Sequence, residues 1–153
     1  MNIAVKKALE ILTFHGLLDS YMDFAKLSII VEKEDIIFYS FLFKGRLKER
    51  YFATSDGIVQ IAVDPSISSA EQKHMIAHAL GHHFLHQGNY AHINGIVQDK
   101  QEHQANVFAA VLLVPPSILI RIRPSCAFAL AQGYGIPLAL AEKRVDIYKK
   151  HRV

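Results

Sequence analysis

The chain has 153 residues, of which 51% are hydrophobic and 20% are charged. These proportions exclude a disordered protein and are typical of a soluble globular one, so we expect a single domain over residues 1–153. The net charge of +3 is too small to indicate nucleic-acid binding by itself. No apolar run approaches the ~18 residues that a membrane span needs, and residues 1–16 lack the features of a secretory signal. We therefore expect a cytoplasmic protein with no membrane partner.

Cys126 is the single cysteine of the sequence. One cysteine excludes an internal disulfide and fits a reducing compartment. Because it lies in the apolar run CAFALA, we expect an inert thiol in the core and not a nucleophile.

The first half of the chain predicts one helix followed by strands. Residues 3–14 place apolar side chains among lysines and a glutamate, which predicts an amphipathic helix ending near Gly16. Short segments rich in β-branched and aromatic residues follow: LSIIVE (27–32), DIIFYSFLF (35–43), KERYFAT (48–54) and GIVQIAVD (57–64). They predict an antiparallel meander, in which Asp56-Gly57 is the strongest hairpin signal.

After Pro65 the sequence acquires a helical period. Ser68 or Ser69 can cap a helix that continues to about Gln87, and residues 88–97 read as a loop. Further helices are predicted over residues 100–114, where Pro115-Pro116 ends the helix, over residues 125–132, and from Pro137 onward. Strands followed by helices indicate an α+β domain.

The segment HMIAHALGHHFLHQ, residues 74–87, contains five of the nine histidines. Four of them recur every four residues along one row of the predicted helix: His74, His78, His82 and His86. Neighbouring imidazoles in such a row can close on one tetrahedral ion, whereas three in line cannot. The spacing therefore allows three pairs, 74/78, 78/82 and 82/86.

The residues around His78 and His82 favour the middle pair. They are small or apolar, as expected for a helix buried on most sides, and a core-facing row lies opposite: Ile76, Leu80 and Phe84. Gly81 costs about 1 kcal/mol relative to alanine inside a helix, which indicates the close approach of another backbone. His83 points away from the row and should be structural or exposed.

A catalytic zinc ion needs a third protein ligand and an open position for water. The downstream candidates are His92, Asp99, Glu102 and His103. Glu102 begins EHQANVFAAVLLVP, a segment otherwise nearly free of charge, and Asn106 lies one turn further on, where it can orient a histidine. Asp99 to Glu102 also matches a helix capping box. We favour the ligand interpretation because of the histidines upstream.

These two segments, HMIAHALGHHFLH and EHQANVFAAVLLVP, together resemble the ImmA/IrrE family of metallopeptidases. In that family a helix reading H-E-x-x-H precedes a helix of the type E-x-x-x-N-x-F-A-A-x-L-L-x-P. The likeness extends to DGIVQIAVDPSISSAEQ (56–72) and ALAQGYGIPLALAEKRVDIY (129–148). It implies zinc ligands at His78, His82 and Glu102, with Asn106 in the supporting position.

The same resemblance implies a compact zincin-like fold, with a small, mostly antiparallel sheet packed on the metal-binding helix. It further implies a cytoplasmic protease that cuts a helix-turn-helix repressor and so relieves repression. Zinc is the expected metal and manganese the alternative, because nitrogen and oxygen ligands accept both.

Ala79 is the one large departure from the family pattern, since the catalytic glutamate of the family follows the first histidine. That glutamate takes a proton from the zinc-bound water and passes it to the leaving amine. Such a group contributes about a hundred- to ten-thousandfold to the rate. Without it turnover should nearly vanish, while metal binding should survive. A single inactivating glutamate-to-alanine substitution explains the intact ligands better than a natural pseudoprotease, which would be free to lose them.

Three further features complete the expectations. GIVQIAVD should form the edge strand that lines the cleft and pairs with substrate, and Tyr90 or His92 could donate to the oxyanion. The final helices, with EKRVDIYKKHRV, resemble a helix-turn-helix, so the alternative is a non-catalytic regulator that binds DNA or a repressor. We expect no DNA contact, because the lysines and arginines of this segment should form a solvated face of the last helix. Its packing face should consist of four residues: Ala139, Leu140, Val145 and Ile147.

Overall fold

The computed structural model describes residues 2–86, 95–117, 119 and 126–153, with residues 95–98 described by their backbone alone. Within these residues the helices are α1 (Ile3–Phe14), α2 (Phe24–Lys33), α3 (Ser69–Leu85), α4 (Gly95–Leu113), α5 (Ala127–Tyr134) and α6 (Leu138–His151). The strands are β1 (Ile36–Ser40), β2 (Glu49–Ala53) and β3 (Val59–Val63). The predicted α+β class is confirmed. No helix in the described ranges combines the length and the apolar character needed to cross a membrane.

Helix α2 corrects the first predicted strand, LSIIVE. The Asp23 side chain accepts a hydrogen bond from the Lys26 amide at 2.9 Å and so caps the helix. Its buried residues, Leu27, Ile30 and Val31, follow the helical spacing of three and four. The cap and this period outweigh the strand preference of the branched side chains, which is weak and depends on context.

The sheet has the order β1-β3-β2, so the predicted antiparallel meander is wrong in part. Strands β2 and β3 are antiparallel and form the predicted hairpin, in which Gly57 adopts a φ of 86° that favours glycine. Strand β1 instead pairs with β3 in parallel, and Ile36 lies opposite Val59. Strand β3 is therefore central and is not the edge strand that the sequence predicted. The edges of this sheet are β1 and β2.

Helices α3 and α4 cross closely at Gly81. A Cβ atom at residue 81 would lie 2.9 Å from the Cα atom of Ala105 and 3.0 Å from its carbonyl oxygen. The close backbone approach predicted at this glycine is thus observed. On the core side of α3, Ile76 and Leu80 are buried, and every residue of α4 from 107 to 113 is buried as well.

The C-terminal helix α6 differs from the prediction at two residues. Leu140, Val145 and Ile147 are buried as expected, but Ala139 is exposed. Arg144 is fully buried and not solvated, because its Nε and Nη1 atoms donate to the carbonyl oxygens of Val114 (2.8 Å) and Val153 (2.6 Å). Burial lowers the pKa of this guanidinium to about 9.

Cys126 is exposed, so the prediction of a core thiol is wrong. The residue occupies the N-cap position of α5. Leu130 is the buried residue of α5, and Phe128 is 58% exposed, so the apolar composition of CAFALA does not mark a core segment.

Candidate metal centre

Helix α3 carries the histidine row on the side that faces α4. The Ser68 hydroxyl accepts a hydrogen bond from the Glu71 amide at 3.1 Å and so caps this helix as predicted. His78, His82 and His86 are all buried, with exposed fractions of 7%, 6% and 8%. Buried imidazoles need polar partners, and each of these has one.

Glu102 of α4 joins the middle pair of histidines. Its two carboxylate oxygens accept hydrogen bonds from His78 Nε2 at 2.9 Å and from His82 Nε2 at 2.8 Å. One donor atom from each of these three residues lies within 4.8 Å of the others. Among the three pairs that the spacing allowed, 78/82 is thus the one that Glu102 joins. Glu102 is not a capping residue, since α4 already begins at Gly95.

Two of the remaining downstream candidates, Asp99 and His103, do not join this group. The Asp99 side chain is exposed, and the exposed His103 faces Lys143, whose Nζ atom lies 3.5 Å from its Nδ1 atom. Tyr90 and His92, the candidate oxyanion donors, lie outside the described residues.

The outer histidines bind polar groups on α4. His74 Nε2 lies 2.9 Å from the side-chain oxygen of Asn106, so Asn106 holds His74 and neither of the two candidate ligands. At the other end of the row, His86 Nε2 lies 2.8 Å from Gln104 Oε1, and its Nδ1 atom lies 3.1 Å from His82 Nδ1.

His83 is structural, as the sequence suggested. It is buried, and its Nδ1 and Nε2 atoms each lie 2.9 Å from a partner, the Tyr51 hydroxyl and Glu34 Oε1 respectively. Burial raises the pKa of Tyr51 to about 12, so the phenol keeps its proton and donates to the imidazole.

Glu49 is the site residue that sequence reasoning missed. It begins β2, and its Oε2 atom lies 2.6 Å from His78 Nδ1, with both side chains about nine-tenths buried (10% and 9% exposed). No motif marks this glutamate in KERYFAT. The contact depends on how β2 packs on α3, and this packing has no local signal in the sequence.

The two carboxylates dominate the electrostatics of the site. Burial acts to lower the pKa of His78, but the hydrogen bonds to Glu102 and Glu49 overcome it and raise that pKa to about 10. The hydrogen bonds from His78 and His82 hold the pKa of Glu102 far below its ordinary value. The carboxylate is therefore ionised at neutral pH and available as a ligand.

This donor set fits a catalytic divalent metal. Two imidazole nitrogens and one carboxylate oxygen within 4.8 Å of one another are the kind of ligand set that holds a catalytic zinc ion and leaves a fourth position for water. Ala79, one residue after His78, is fully buried and carries no polar side-chain atom. The arrangement can hold a metal, but residue 79 supplies no group to move a proton.

The comparisons with known proteins agree with this chemistry. A model of the IrrE N-terminal-like domain, Peptidase_M78, matches residues 34–146. That interval contains all three strands, the histidine row and Glu102. No curated protein and no solved structure gives a significant match. From the length of the family match we conclude that the chain belongs to the IrrE N-terminal-like family of metallopeptidases.

Proposed function

We propose that His78, His82 and Glu102 hold one zinc ion, with manganese as the alternative, and that the chain is a peptidase of the ImmA/IrrE type. The observation that carries this proposal is the convergence of three donor atoms within 4.8 Å on two packed helices. When bound there, the ion would activate a water molecule and polarise a peptide carbonyl. The protein contributes the fixed ligand geometry, with both histidines buried and the Glu102 side chain 46% exposed on the side that faces solvent.

The proposed substrate is a helix-turn-helix repressor in the cytoplasm, and cleavage would relieve repression. Membership of the family supports this substrate. Among the described residues β2 is an edge strand of the sheet, and it begins at Glu49, directly beside His78, so it offers a place for an extended segment of the substrate. Added strands of this kind bind through the main chain, with specificity from alternate side chains.

Ala79 makes this form of the chain an impaired enzyme in our proposal. The proton from the activated water needs an acceptor beside the metal, and the buried methyl group at residue 79 is not one. A single replacement of glutamate by alanine accounts for the loss, because the metal-binding side chains still converge. The inactive form should bind both metal and substrate.

The test compares Ala79→Glu with the unchanged chain on a panel of purified helix-turn-helix repressors, using gels and mass spectrometry after loading with zinc. Restoring the carboxylate should raise cleavage by about a hundred- to ten-thousandfold. The double variant Ala79→Glu/Glu102→Gln is the control, because it has the base but lacks a ligand. A folded, zinc-loaded Ala79→Glu protein that leaves every repressor intact would favour the alternative, a non-catalytic regulator.

A further inference from the structure

Each candidate metal-binding imidazole has its second ring nitrogen held by another group. His78 Nδ1 lies 2.6 Å from Glu49 Oε2. His82 Nδ1 lies 3.1 Å from His86 Nδ1, and His86 Nε2 lies 2.8 Å from Gln104 Oε1. His78 is thus supported by the carboxylate of Glu49, and His82 by two uncharged side chains in series, His86 and Gln104.

One arrangement of protons satisfies both supports when the Nε2 atoms face a metal. A nitrogen that binds metal offers a lone pair, so the Nδ1 atoms of His78 and His82 carry the hydrogens. The Glu49 carboxylate accepts the hydrogen bond from His78 Nδ1. Because Gln104 Oε1 is an acceptor, the hydrogen of a neutral His86 lies on Nε2, and its Nδ1 lone pair accepts from His82. In this arrangement each of the three contacts pairs one N–H donor with one acceptor lone pair.

We propose that Glu49 and the His86–Gln104 pair are positioning groups that fix the ring orientation and the tautomer of His78 and His82 for metal binding. The inference rests on the metal centre proposed above. It also gives a role to His86, the last histidine of the row. His86 supports a ligand, whereas His74 binds Asn106 and contacts neither ligand by a hydrogen bond that the structure shows.

The geometry of the helices makes this support rigid. Gln104 and Glu102 both belong to α4, so the helix that supplies the third ligand also anchors the support for His82. Glu49 comes from the sheet, which packs on the other side of His78. Groups that orient metal ligands in this way typically contribute about ten- to a hundredfold in metal affinity.

The first experiment replaces Glu49 by glutamine in the full chain and measures zinc affinity by competition with a chelator. The affinity should fall about ten- to a hundredfold, and the visible absorption bands of bound cobalt should shift. The matched control is Glu34→Gln. Glu34 makes the same kind of carboxylate–imidazole contact, at 2.9 Å, with His83 of the same helix. This control should keep the zinc affinity and the cobalt spectrum of the unchanged chain.

The second experiment tests the support for His82 through His86→Phe, which keeps a ring but removes both nitrogens. Zinc affinity should fall about tenfold or more, while the control His74→Phe should retain it. If Glu49→Gln does not fold, Glu49→Asp keeps the charge with a shorter reach and should give a smaller loss of affinity.

The outcomes separate this inference from the proposed function. An unchanged chain that binds zinc tightly, with Glu49→Gln and His86→Phe variants of equal affinity and equal cobalt spectra, would overturn the positioning roles and leave the metal centre intact. An unchanged chain that binds neither zinc nor manganese would overturn the metal centre itself. Loss of affinity in these two variants but in neither control supports the inference.

Discussion

Replacing Gly81 by alanine tests the packing on which the metal centre depends. The new methyl group would lie 2.9 Å from Ala105 Cα and 3.0 Å from the carbonyl oxygen of the same residue. Carbon atoms in contact prefer about 3.5–4.0 Å, so α3 and α4 must separate by about 0.5–1 Å. Both neighbours are backbone atoms, and a side-chain rotation cannot relieve the clash. Because Glu102 lies one turn before Ala105, the same movement draws its carboxylate away from His78.

The expected change in the free energy of unfolding follows from two opposing terms. Alanine gains about 1 kcal/mol over glycine inside a helix. Overpacking against a neighbour costs about 1–3 kcal/mol, and a backbone neighbour places this contact at the upper end. We therefore expect a net loss of about 2 kcal/mol and a zinc affinity lower by at least about tenfold, as for other changes that misplace ligands.

Urea unfolding of the metal-free protein and zinc titration measure these two effects. Gly133→Ala is the matched control, because Gly133 also lies within a helix and a Cβ atom there would meet nothing within 4 Å. That variant should gain up to about 1 kcal/mol in stability and keep its zinc affinity. A Gly81→Ala protein as stable as the unchanged chain, with equal zinc affinity, would refute the argument from close packing.

The remaining predictions concern protons, the catalytic position and a buried cation. Zinc binding at pH 8 should release about one proton, because the raised pKa of His78 keeps the metal-free imidazole charged until about pH 10. Calorimetry in buffers of different ionisation enthalpy measures the number of protons released, and a number near zero would contradict the prediction. Because the pKa of His78 is higher in the folded protein than its unfolded value of 6.5, the charged imidazole stabilises the metal-free protein. This contribution is complete below pH 6.5 and is lost as the pH rises through about 10. Ala79→Glu should lower the free energy of unfolding of the metal-free protein by about 1–3 kcal/mol, measured in urea, since residue 79 is fully buried. An unchanged free energy of unfolding would show that the site already has room for the carboxylate. Arg144→Ala should lower the stability by about 3 kcal/mol, from lost packing and from the carbonyl oxygens of Val114 and Val153 left without a donor. Thermal unfolding measures this loss, and a change below about 1 kcal/mol would contradict the stabilising contribution of these two hydrogen bonds.

Local patterns predicted most of the elements but not how the sheet is assembled. The cap at Ser68, the helical period of α3 and the Asp56-Gly57 turn all act within a few residues, and each prediction is confirmed. The parallel pairing of β1 with β3 joins segments more than twenty residues apart. Pairing of this kind depends on contacts between distant segments, such as the packing of α2 on β1, and the composition of a strand says little about its partner. In α2, the spacing of Leu27, Ile30 and Val31 was the available signal, and it was outweighed by the count of branched residues.

The same distinction holds for the metal centre. His78 and His82 were predicted from the helical spacing together with their small or apolar neighbours, and Glu102 from one carboxylate in an apolar helix after the histidines. Glu49 and Gln104 reach their histidines across 29 and 18 residues of sequence, and no motif connects them. Arg144 was misread for a related reason, because a cationic residue among lysines looks solvated until the carbonyl groups that it binds are known.

The position of Glu49 also sets the formal charge of the buried centre. A dication bound by Glu102, with Glu49 behind His78, would form an electrically neutral cluster, and a neutral cluster suits the buried side of the site, where His78 and Glu49 lie. A third carboxylate at residue 79 would leave the cluster with one surplus negative charge. That surplus raises the proton affinity of the added group, which is the property a general base requires. The sheet residue behind the first ligand would therefore help to tune a catalytic group that it never touches.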